Sequence, residues 1–144
     1  MIATLHLPNA LRDTIAAQAR AAFPNECCGL IEGTSEGASA HATAVHPMSN
    51  LADTPDRFEI DPAEQIKLMR ELRGAGRKII GCYHSHPNGR AEPSQTDLKS
   101  AFDEEFLWLI AALGPEKEAE LSAFILRDGA FASVRLARAQ GAKL

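Results

Sequence analysis

Two histidines one residue apart, His84 and His86, precede a turn-forming segment and then Ser94 and Asp97 in the stretch YHSHPNGRAEPSQTD, residues 83–97. Side chains two residues apart on a strand point to the same face, so both imidazoles can approach one ion. With an aspartate they make three protein ligands and leave the fourth tetrahedral position of a zinc ion to water, which is the catalytic arrangement. The stretch is therefore a candidate site for metal-assisted hydrolysis.

Each part of this stretch also has an explanation that needs no metal. The two histidines can be polar groups at a sheet edge, and Ser94 followed three residues later by Asp97 is a common helix start with Ser94 as N-cap. The same donor set also occurs in non-haem iron oxygenases. Those sites usually have the order His-x-carboxylate and then a distant histidine, so the order in this chain favours zinc.

A zinc hydrolase also needs a general base beside the metal-bound water. Glu26, in the segment FPNECCGLIEG, is a candidate because it directly precedes an apolar strand. The alternative for Glu26 is a solvated carboxylate in a loop, and the residues alone leave both open. Asp61 and Glu64 are better explained as caps of a helix that begins there, and Glu92 as loop surface.

The strands that would position these residues are predicted from apolar runs and turn residues. Residues 78–83 (KIIGCY) have the continuous apolar run of a covered strand, which delivers the histidines at its C-terminal end, where sites of α/β sheets are built. Asp128-Gly129 predicts a tight hairpin. The other predicted strands cover residues 4–7, 28–32, 40–47, 106–113, 121–127 and 130–136, and residues 57–60 continue the sheet.

Helices are predicted over residues 9–22, from Asp61 to the glycines at 74 and 76, and over residues 94–102. In the second helix, Ile66, Met69 and Leu72 are expected to form the buried face. Loops at residues 33–39 and 50–56 are candidates for mobile walls of the site. The pattern predicts an α/β fold, a mixed β-sheet flanked by helices, in a single domain over residues 1–144.

Composition is that of a globular protein, with 45% hydrophobic and 24% charged residues in a chain of 144. The formal net charge of −4 and the scattered lysines and arginines favour neither nucleic-acid binding nor a membrane-surface patch. No secretory signal pattern is present, and the longest apolar run, residues 106–113, is too short to span a bilayer. Three cysteines, two of them adjacent, do not suit a disulfide framework, so a cytoplasmic protein is expected.

The segments NECCGLIEG, FEIDP and YHSHPNGRAEPSQTDL, in this order, resemble the JAMM (MPN-plus) zinc metalloproteases of the stand-alone bacterial type. The family motif is an upstream glutamate, then His-Ser/Thr-His-Pro, then a serine and an aspartate spaced as S-x-x-D. The resemblance implies a cytidine-deaminase-like fold, the JAB/MPN domain. It implies that His84, His86 and Asp97 bind one zinc ion, with water as the fourth ligand. It further implies that Glu26 is the general base and that Ser94 helps to hold the water and the oxyanion.

By the same resemblance, the protein is a zinc metallopeptidase acting on a ubiquitin-like or sulfur-carrier protein. The bond hydrolysed would be an amide or isopeptide bond after the carrier's C-terminal Gly-Gly, with release of cysteine or another amine. The compact chain has little room for the insertions by which eukaryotic deubiquitinases of this family grip ubiquitin. A catalytically silent MPN scaffold and a cell-wall or phage-type peptidase of the same superfamily are the alternatives. The sequence names neither the carrier nor the oligomeric state.

Overall fold

The structure, a computed structural model, describes residues 2–101 and 105–138. Within these ranges the chain forms seven strands and three helices. In chain order they are β1 (Thr4–His6), α1 (Asn9–Ala22), β2 (Cys28–Glu36), β3 (Ser39–Met48), α2 (Pro62–Gly74), β4 (Ile79–His86), α3 (Gln95–Ser100), β5 (Leu107–Leu113), β6 (Ala119–Arg127) and β7 (Ala130–Ala137).

All seven strands belong to one mixed sheet in the order β1-β3-β2-β4-β5-β6-β7. The sheet closes on itself because β7 also pairs with β1. β1 is parallel to both of its neighbours, β4 is parallel to β5, and the other pairings are antiparallel. The predicted α/β fold with a mixed sheet and helices is confirmed, and the closure goes beyond that prediction.

In the described part of the chain, no helix has the length and hydrophobicity that crossing a bilayer requires.

Strand β4 is the fourth of the seven strands, and its side chains alternate between two differently packed faces. Tyr83 lies in the main core against α1, and its hydroxyl donates to Gln18 of that helix. Gly29 on β2 makes room for the ring, because a Cβ there would lie 2.3 Å from Tyr83 atoms. Cys82 faces the other way, into a smaller cluster with Trp108. The same alternation brings His84 and His86 to the side of Cys82.

Two local predictions are confirmed closely. The first helix has its predicted bounds, Asn9–Ala22, and buries Ile15 and Ala19. The hairpin turns at Asp128 and Gly129, whose φ angles of 52° and 80° are those of the left-handed two-residue turn that this pair favours. β4 extends beyond the predicted residues 78–83 and includes both histidines. The third helix is shorter than predicted, and position 102 lies outside the described residues.

Two predictions about the connections are wrong. Residues 33–39 are not a loop, because β2 continues through Glu36 and β3 begins at Ser39. This end of β2 lies away from the site: Glu32 pairs with Ile79 of β4, whereas Cys28 pairs with His84. Residues 57–60 do not form a sheet strand and make only an isolated bridge between Asn50 and Ile60. In both segments, the presence or absence of a pairing strand determines whether the chain is strand or loop, and the composition of the segment does not reveal that partner.

The predicted buried face of α2 is also wrong. Ile66 and Met69 are 51% and 38% exposed, and of the three predicted positions Leu72 alone is buried. The helix packs through Leu68 and Leu72, which are four residues apart and therefore lie on one face. Its start is as predicted, with Asp61 Oδ1 accepting from Ala63 N at 2.9 Å.

Glu64 does not cap α2 as predicted. Its carboxylate accepts instead from Ser49 N and Ser49 Oγ, both at 2.7 Å. It therefore ties the start of α2 to the residue that follows β3.

Candidate metal centre and its cleft

Two imidazoles and one carboxylate converge at the end of β4. His84 Nε2 and His86 Nε2 are 3.1 Å apart, and each is 3.1 Å from Asp97 Oδ2. All three side chains are buried. Ligand atoms about 2.0–2.1 Å from a tetrahedral zinc ion are about 3.3–3.4 Å from one another. The observed triangle is therefore close in size to one face of a zinc coordination shell.

Helix α3 aims the carboxylate of Asp97 back at β4 through a reciprocal cap. Ser94 N donates to Asp97 Oδ2 at 2.9 Å, and Asp97 N donates to Ser94 Oγ at 3.0 Å. The capping box predicted from the sequence is thus also the device that orients the third candidate ligand. Burial would raise the pKa of Asp97, but the contacts with His84 and His86 outweigh it and hold this pKa well below its usual range.

The hydrogen bonding of His86 indicates which of its nitrogens is available for a metal. His86 Nδ1 lies 2.8 Å from the carbonyl oxygen of Arg90, to which it donates. A neutral His86 then has its lone pair on Nε2, the atom that faces Asp97. Burial would lower the pKa of His86, but the contacts with Asp97 and with the Arg90 carbonyl oxygen raise it, so a proton on Nε2 can bridge the 3.1 Å to the carboxylate when no metal is bound. The three donor atoms therefore fit either a proton held between His86 and Asp97 in the metal-free protein or a zinc ion in the same place.

The ring of His84 is held by aromatic side chains. Phe58 stacks on it at a centroid distance of 4.3 Å, and Trp108 meets it edge-on at 5.8 Å. Its Nδ1 is buried and has no hydrogen-bond partner among the described residues. Burial lowers the pKa of His84, so that the imidazole is neutral, which is the form that binds a metal.

Glu26 completes the polar group and is the most unusual member of it. It is buried, and its Oε1 has no hydrogen-bond partner in residues 2–101 and 105–138. Burial raises the pKa of Glu26 to about 8, with His86 opposing the shift and Asp97 adding to it. Glu26, His84 and His86 have ligand atoms within 4.8 Å of one another and form a candidate metal site of their own. Asp97 Oδ2, at 3.1 Å from both histidine nitrogens, fits the third ligand, and Glu26 then stands beside the candidate metal position.

Two residues that the sequence analysis did not single out hold the backbone around Glu26. Cys27 N donates to Ser85 Oγ at 2.8 Å, and Ser85 N donates to Cys27 O at 3.1 Å. Asn50 Nδ2 donates to the carbonyl oxygen of Glu26 at 2.9 Å. Ser85 could have been suspected from its position between the two histidines. Asn50 carries no local signal, since its contacts join distant parts of the chain.

A cleft of about 690 Å³ opens over the site. Its lining includes Glu26, His86 and Ser94 together with a wall that contains Pro55 and Asp56. Of the predicted wall residues 50–56, the last two line the cleft, whereas residues 33–39 lie elsewhere. That these segments are mobile stays a prediction. Prolines have a fixed φ and give the lining rigid segments. They stand at four lining positions, Pro24, Pro55, Pro87 and Pro93.

The structure thus brings together all five residues that the sequence analysis predicted for the site. They come from the segment before β2, from β4 and from the start of α3. His84, His86, Asp97 and Glu26 are buried around one point, and Ser94 borders the cleft. Their individual roles remain predictions.

Comparison with known proteins finds relatives over most of the chain. A desampylase of Haloferax volcanii is 36% identical over 106 residues, which is 70% of this chain and 75% of that protein. A CysO-cysteine peptidase of Mycobacterium tuberculosis is 31% identical over 120 residues, which is 83% of this chain and 81% of that protein.

Similarity of fold and of sequence pattern extends over the same range. A solution structure of a protein from Desulfitobacterium hafniense superposes with a TM-score of 0.83 at 32% identity, covering 96% of this chain and 93% of that one. The family described as prokaryotic homologs of the JAB domain matches residues 8–126, which include every predicted site residue. The chain therefore belongs to the prokaryotic JAB-domain family, in agreement with its resemblance to the JAMM metalloproteases.

Proposed function

We propose that this protein is a zinc-dependent metallopeptidase that hydrolyses the amide or isopeptide bond after the C-terminal Gly-Gly of a ubiquitin-like sulfur-carrier protein. The products would be the carrier with a free carboxylate and cysteine or another amine. The observation that carries the proposal is the convergence of His84, His86 and Asp97 beside a buried glutamate with an unpaired oxygen. The names of the related desampylase and CysO-cysteine peptidase support a protein-conjugate substrate.

His84, His86 and Asp97 would hold the metal. One zinc ion, with water as its fourth ligand, would supply a water of lowered pKa and Lewis acidity towards an amide carbonyl. The protein prepares these ligands in their binding forms, because His84 is held neutral and Asp97 is held ionised. The bond from His86 to the Arg90 carbonyl oxygen directs the lone pair of His86 towards the same point.

Glu26 would move the proton. Its pKa of about 8 in the metal-free protein falls when a cation lies nearby, so the carboxylate is ionised and able to accept a proton at neutral pH. It takes the proton of the attacking water and returns it to the amine, which leaves poorly as an anion. One water is consumed, the C–N bond breaks, and the acid and the amine are released.

Ser94 would stabilise the oxyanion. Its Oγ accepts from Asp97 N, and its own hydrogen remains available for donation into the cleft. One preorganised donor of this kind is typically worth about 3 kcal/mol of transition-state stabilisation. The rigid proline segments of the cleft suit a tail that ends in glycines, because glycine has no Cβ to clash with them.

The proposal is tested with three substrates and a matched pair of variants. The zinc-loaded protein is incubated with a sulfur carrier extended past Gly-Gly by one cysteine, with a lysine-linked conjugate of that carrier, and with peptidoglycan fragments. Mass spectrometry is expected to show carrier ending in Gly-Gly from at least one of the first two and no change in the third. Glu26→Gln should keep zinc and lose cleavage, whereas Glu36→Gln, at the exposed far end of β2, should cleave normally.

Each contrary result supports a different conclusion about function. Cleavage of the peptidoglycan fragments alone supports a cell-wall peptidase. Folded protein that takes up no zinc supports the silent scaffold. Carrier cleavage that survives in Glu26→Gln rejects the assigned mechanism.

A further inference from the structure

The side chain of Asn50 bonds to both sides of the site through its two different atoms. Its Nδ2 donates to the Glu26 carbonyl oxygen at 2.9 Å and makes a longer bond, at 3.4 Å, to the carbonyl oxygen of Arg57. Its Oδ1 accepts from Ala52 N and from Glu59 N, both at 2.9 Å. An Asx turn explains the bond to the residue two positions later, but it does not explain bonds that span 24 and 9 residues. The amide therefore joins the segment of Glu26 to the loop of residues 51–59.

This loop forms one wall of the cleft and also touches the metal site. Pro55 and Asp56 line the cleft, and Phe58 stacks on His84. The ends of the loop meet beside Asn50, where Leu51 N donates to Glu59 O at 2.8 Å and Asn50 bridges to Ile60. Because the loop closes at Asn50, the orientation of this one amide sets where the wall stands relative to Glu26.

We propose that Asn50 is a positioning residue for the hydrolysis: its nitrogen holds the backbone of Glu26, and its oxygen holds the cleft wall. Substrate seated against Pro55 and Asp56 is thereby kept within reach of the Glu26 carboxylate. This inference rests on the proposed function, since it concerns the same site. The nitrogen makes the bond to the Glu26 segment, whereas the two short bonds to the wall, from Ala52 N and Glu59 N, are made by the oxygen, so substitution can separate the two tasks.

Asn50→Asp keeps the oxygen acceptor and loses the donor to Glu26, together with the long bond to Arg57, whereas Asn50→Ala loses every one of these bonds. In the zinc-loaded full chain, Asn50→Asp should lower kcat about tenfold and leave KM within about twofold of the wild type. Asn50→Ala should lower kcat and also raise KM by about tenfold, because the wall is released. Asp53→Ala is the matched control: this residue lies in the same loop, is exposed, and pairs only loosely with Arg57, so both constants should be unchanged.

Asn50→Asp introduces a negative charge as well as removing the donor. Measuring kcat at several salt concentrations tells these two effects apart. A Coulombic effect on kcat shrinks as the ionic strength rises, whereas the loss of a hydrogen bond does not. Zinc content should be the same in all variants, because His84, His86 and Asp97 are unchanged.

Hydrogen exchange of single backbone amides, followed by NMR, gives a readout that does not need turnover. The amides of Ala52 and Glu59 should exchange at wild-type rates in Asn50→Asp and Asp53→Ala, and at least about tenfold faster in Asn50→Ala. This result stands whether or not the proposed hydrolysis is correct, so failures of the two are distinguishable. Wild-type kcat and KM in folded Asn50→Ala would overturn the inference. So would full amide protection in that variant, or a loss of kcat that only tracks the unfolded fraction.

Discussion

Two buried glutamates near opposite ends of the paired part of β2 have opposite environments. Glu26 and Glu32 are each 4% exposed. Both carboxylate oxygens of Glu32 are bonded, with Arg77 Nε at 2.6 Å, Arg77 Nη2 at 2.9 Å and His46 Nε2 at 2.8 Å. Glu26 keeps an unpaired Oε1 in the described part of the chain. The hydrogen bond from Arg77 lowers the pKa of Glu32, whereas burial raises that of Glu26 to about 8.

Burial of a carboxylate therefore does not distinguish a structural role from a catalytic one. Glu32 is complete within the protein and needs no further group. Glu26 is left incomplete beside two histidines and a cleft, as expected of a group that acts on something from outside. The contrast can be tested by changing each residue in the same way.

The largest expected difference is in turnover. Glu26→Gln should lower kcat by about 1000-fold or more, because a glutamine cannot accept a proton from the attacking water. Glu32→Gln should stay within about threefold of the wild type, since it lies away from the cleft. Steady-state kinetics on the carrier conjugate provides the measurement. Equal losses in the two variants would remove the distinction.

Zinc affinity should depend on Asp97 and not on Glu32. Asp97→Ala removes a proposed ligand and should weaken zinc binding by about 100-fold or more. Ser94→Ala is the control, because it removes the hydroxyl half of the cap of α3 but keeps the carboxylate and its bond from Ser94 N. Competition titration with a chelator gives the affinities. If Ser94→Ala weakens binding as much as Asp97→Ala does, the role of Asp97 is to cap the helix.

The free energy of unfolding should depend on Glu32 and not on Glu26, the reverse of what is expected for turnover. Glu32→Gln should lower the free energy of unfolding by about 1–2 kcal/mol, a moderate value because Arg77 is 54% exposed and regains water when the pair is broken. Glu26→Gln in the metal-free protein should leave this free energy unchanged or raise it, since Glu26 has no ion pair with the residues that the structure describes. Urea unfolding after chelation compares the two. A loss of stability in Glu26→Gln that matches the loss in Glu32→Gln would contradict the contrast.

A dependence of stability on pH is expected in the metal-free protein. The pKa of Glu26 is raised from 4.5 to about 8, so the folded state favours the protonated form. Its contribution to stability is full below pH 4.5 and is lost as the pH rises through about 8. The difference in unfolding free energy between Glu26→Gln and the wild type should widen over this window and then level off. A difference independent of pH would show that Glu26 is already ionised in the folded protein.

Local patterns were sufficient for several of the elements and for bringing the three candidate metal ligands together. The start of α3, the hairpin at Asp128-Gly129 and the two histidines of β4 each depend on residues close in sequence. Asp97 could be placed near the histidines because one turn and one cap connect them. Glu26 was uncertain from its own residues, and the family resemblance selected it.

Tertiary contacts decided what local patterns did not predict. Ile66 and Met69 fit a helical stripe, but α2 instead packs Leu68 against the cluster of Cys82 and Trp108 and buries Leu72 on the same face. Residues 33–36 look like a loop by composition and become strand because β3 pairs with them. Asn50 bonds to residues that its own segment does not reveal. Closure of the sheet likewise depends on the pairing of its first and last strands.

The reciprocal cap of α3 has a thermodynamic consequence. A helix of six residues does not persist by itself, because nucleation costs more than so few hydrogen bonds return. Asp97 Oδ2 is both the acceptor from Ser94 N and the atom nearest to the two histidines. An ion bound there would add its binding free energy to the folding of Gln95–Ser100. The placement of Asp97 beside the histidines and the folding of α3 would then be one cooperative transition.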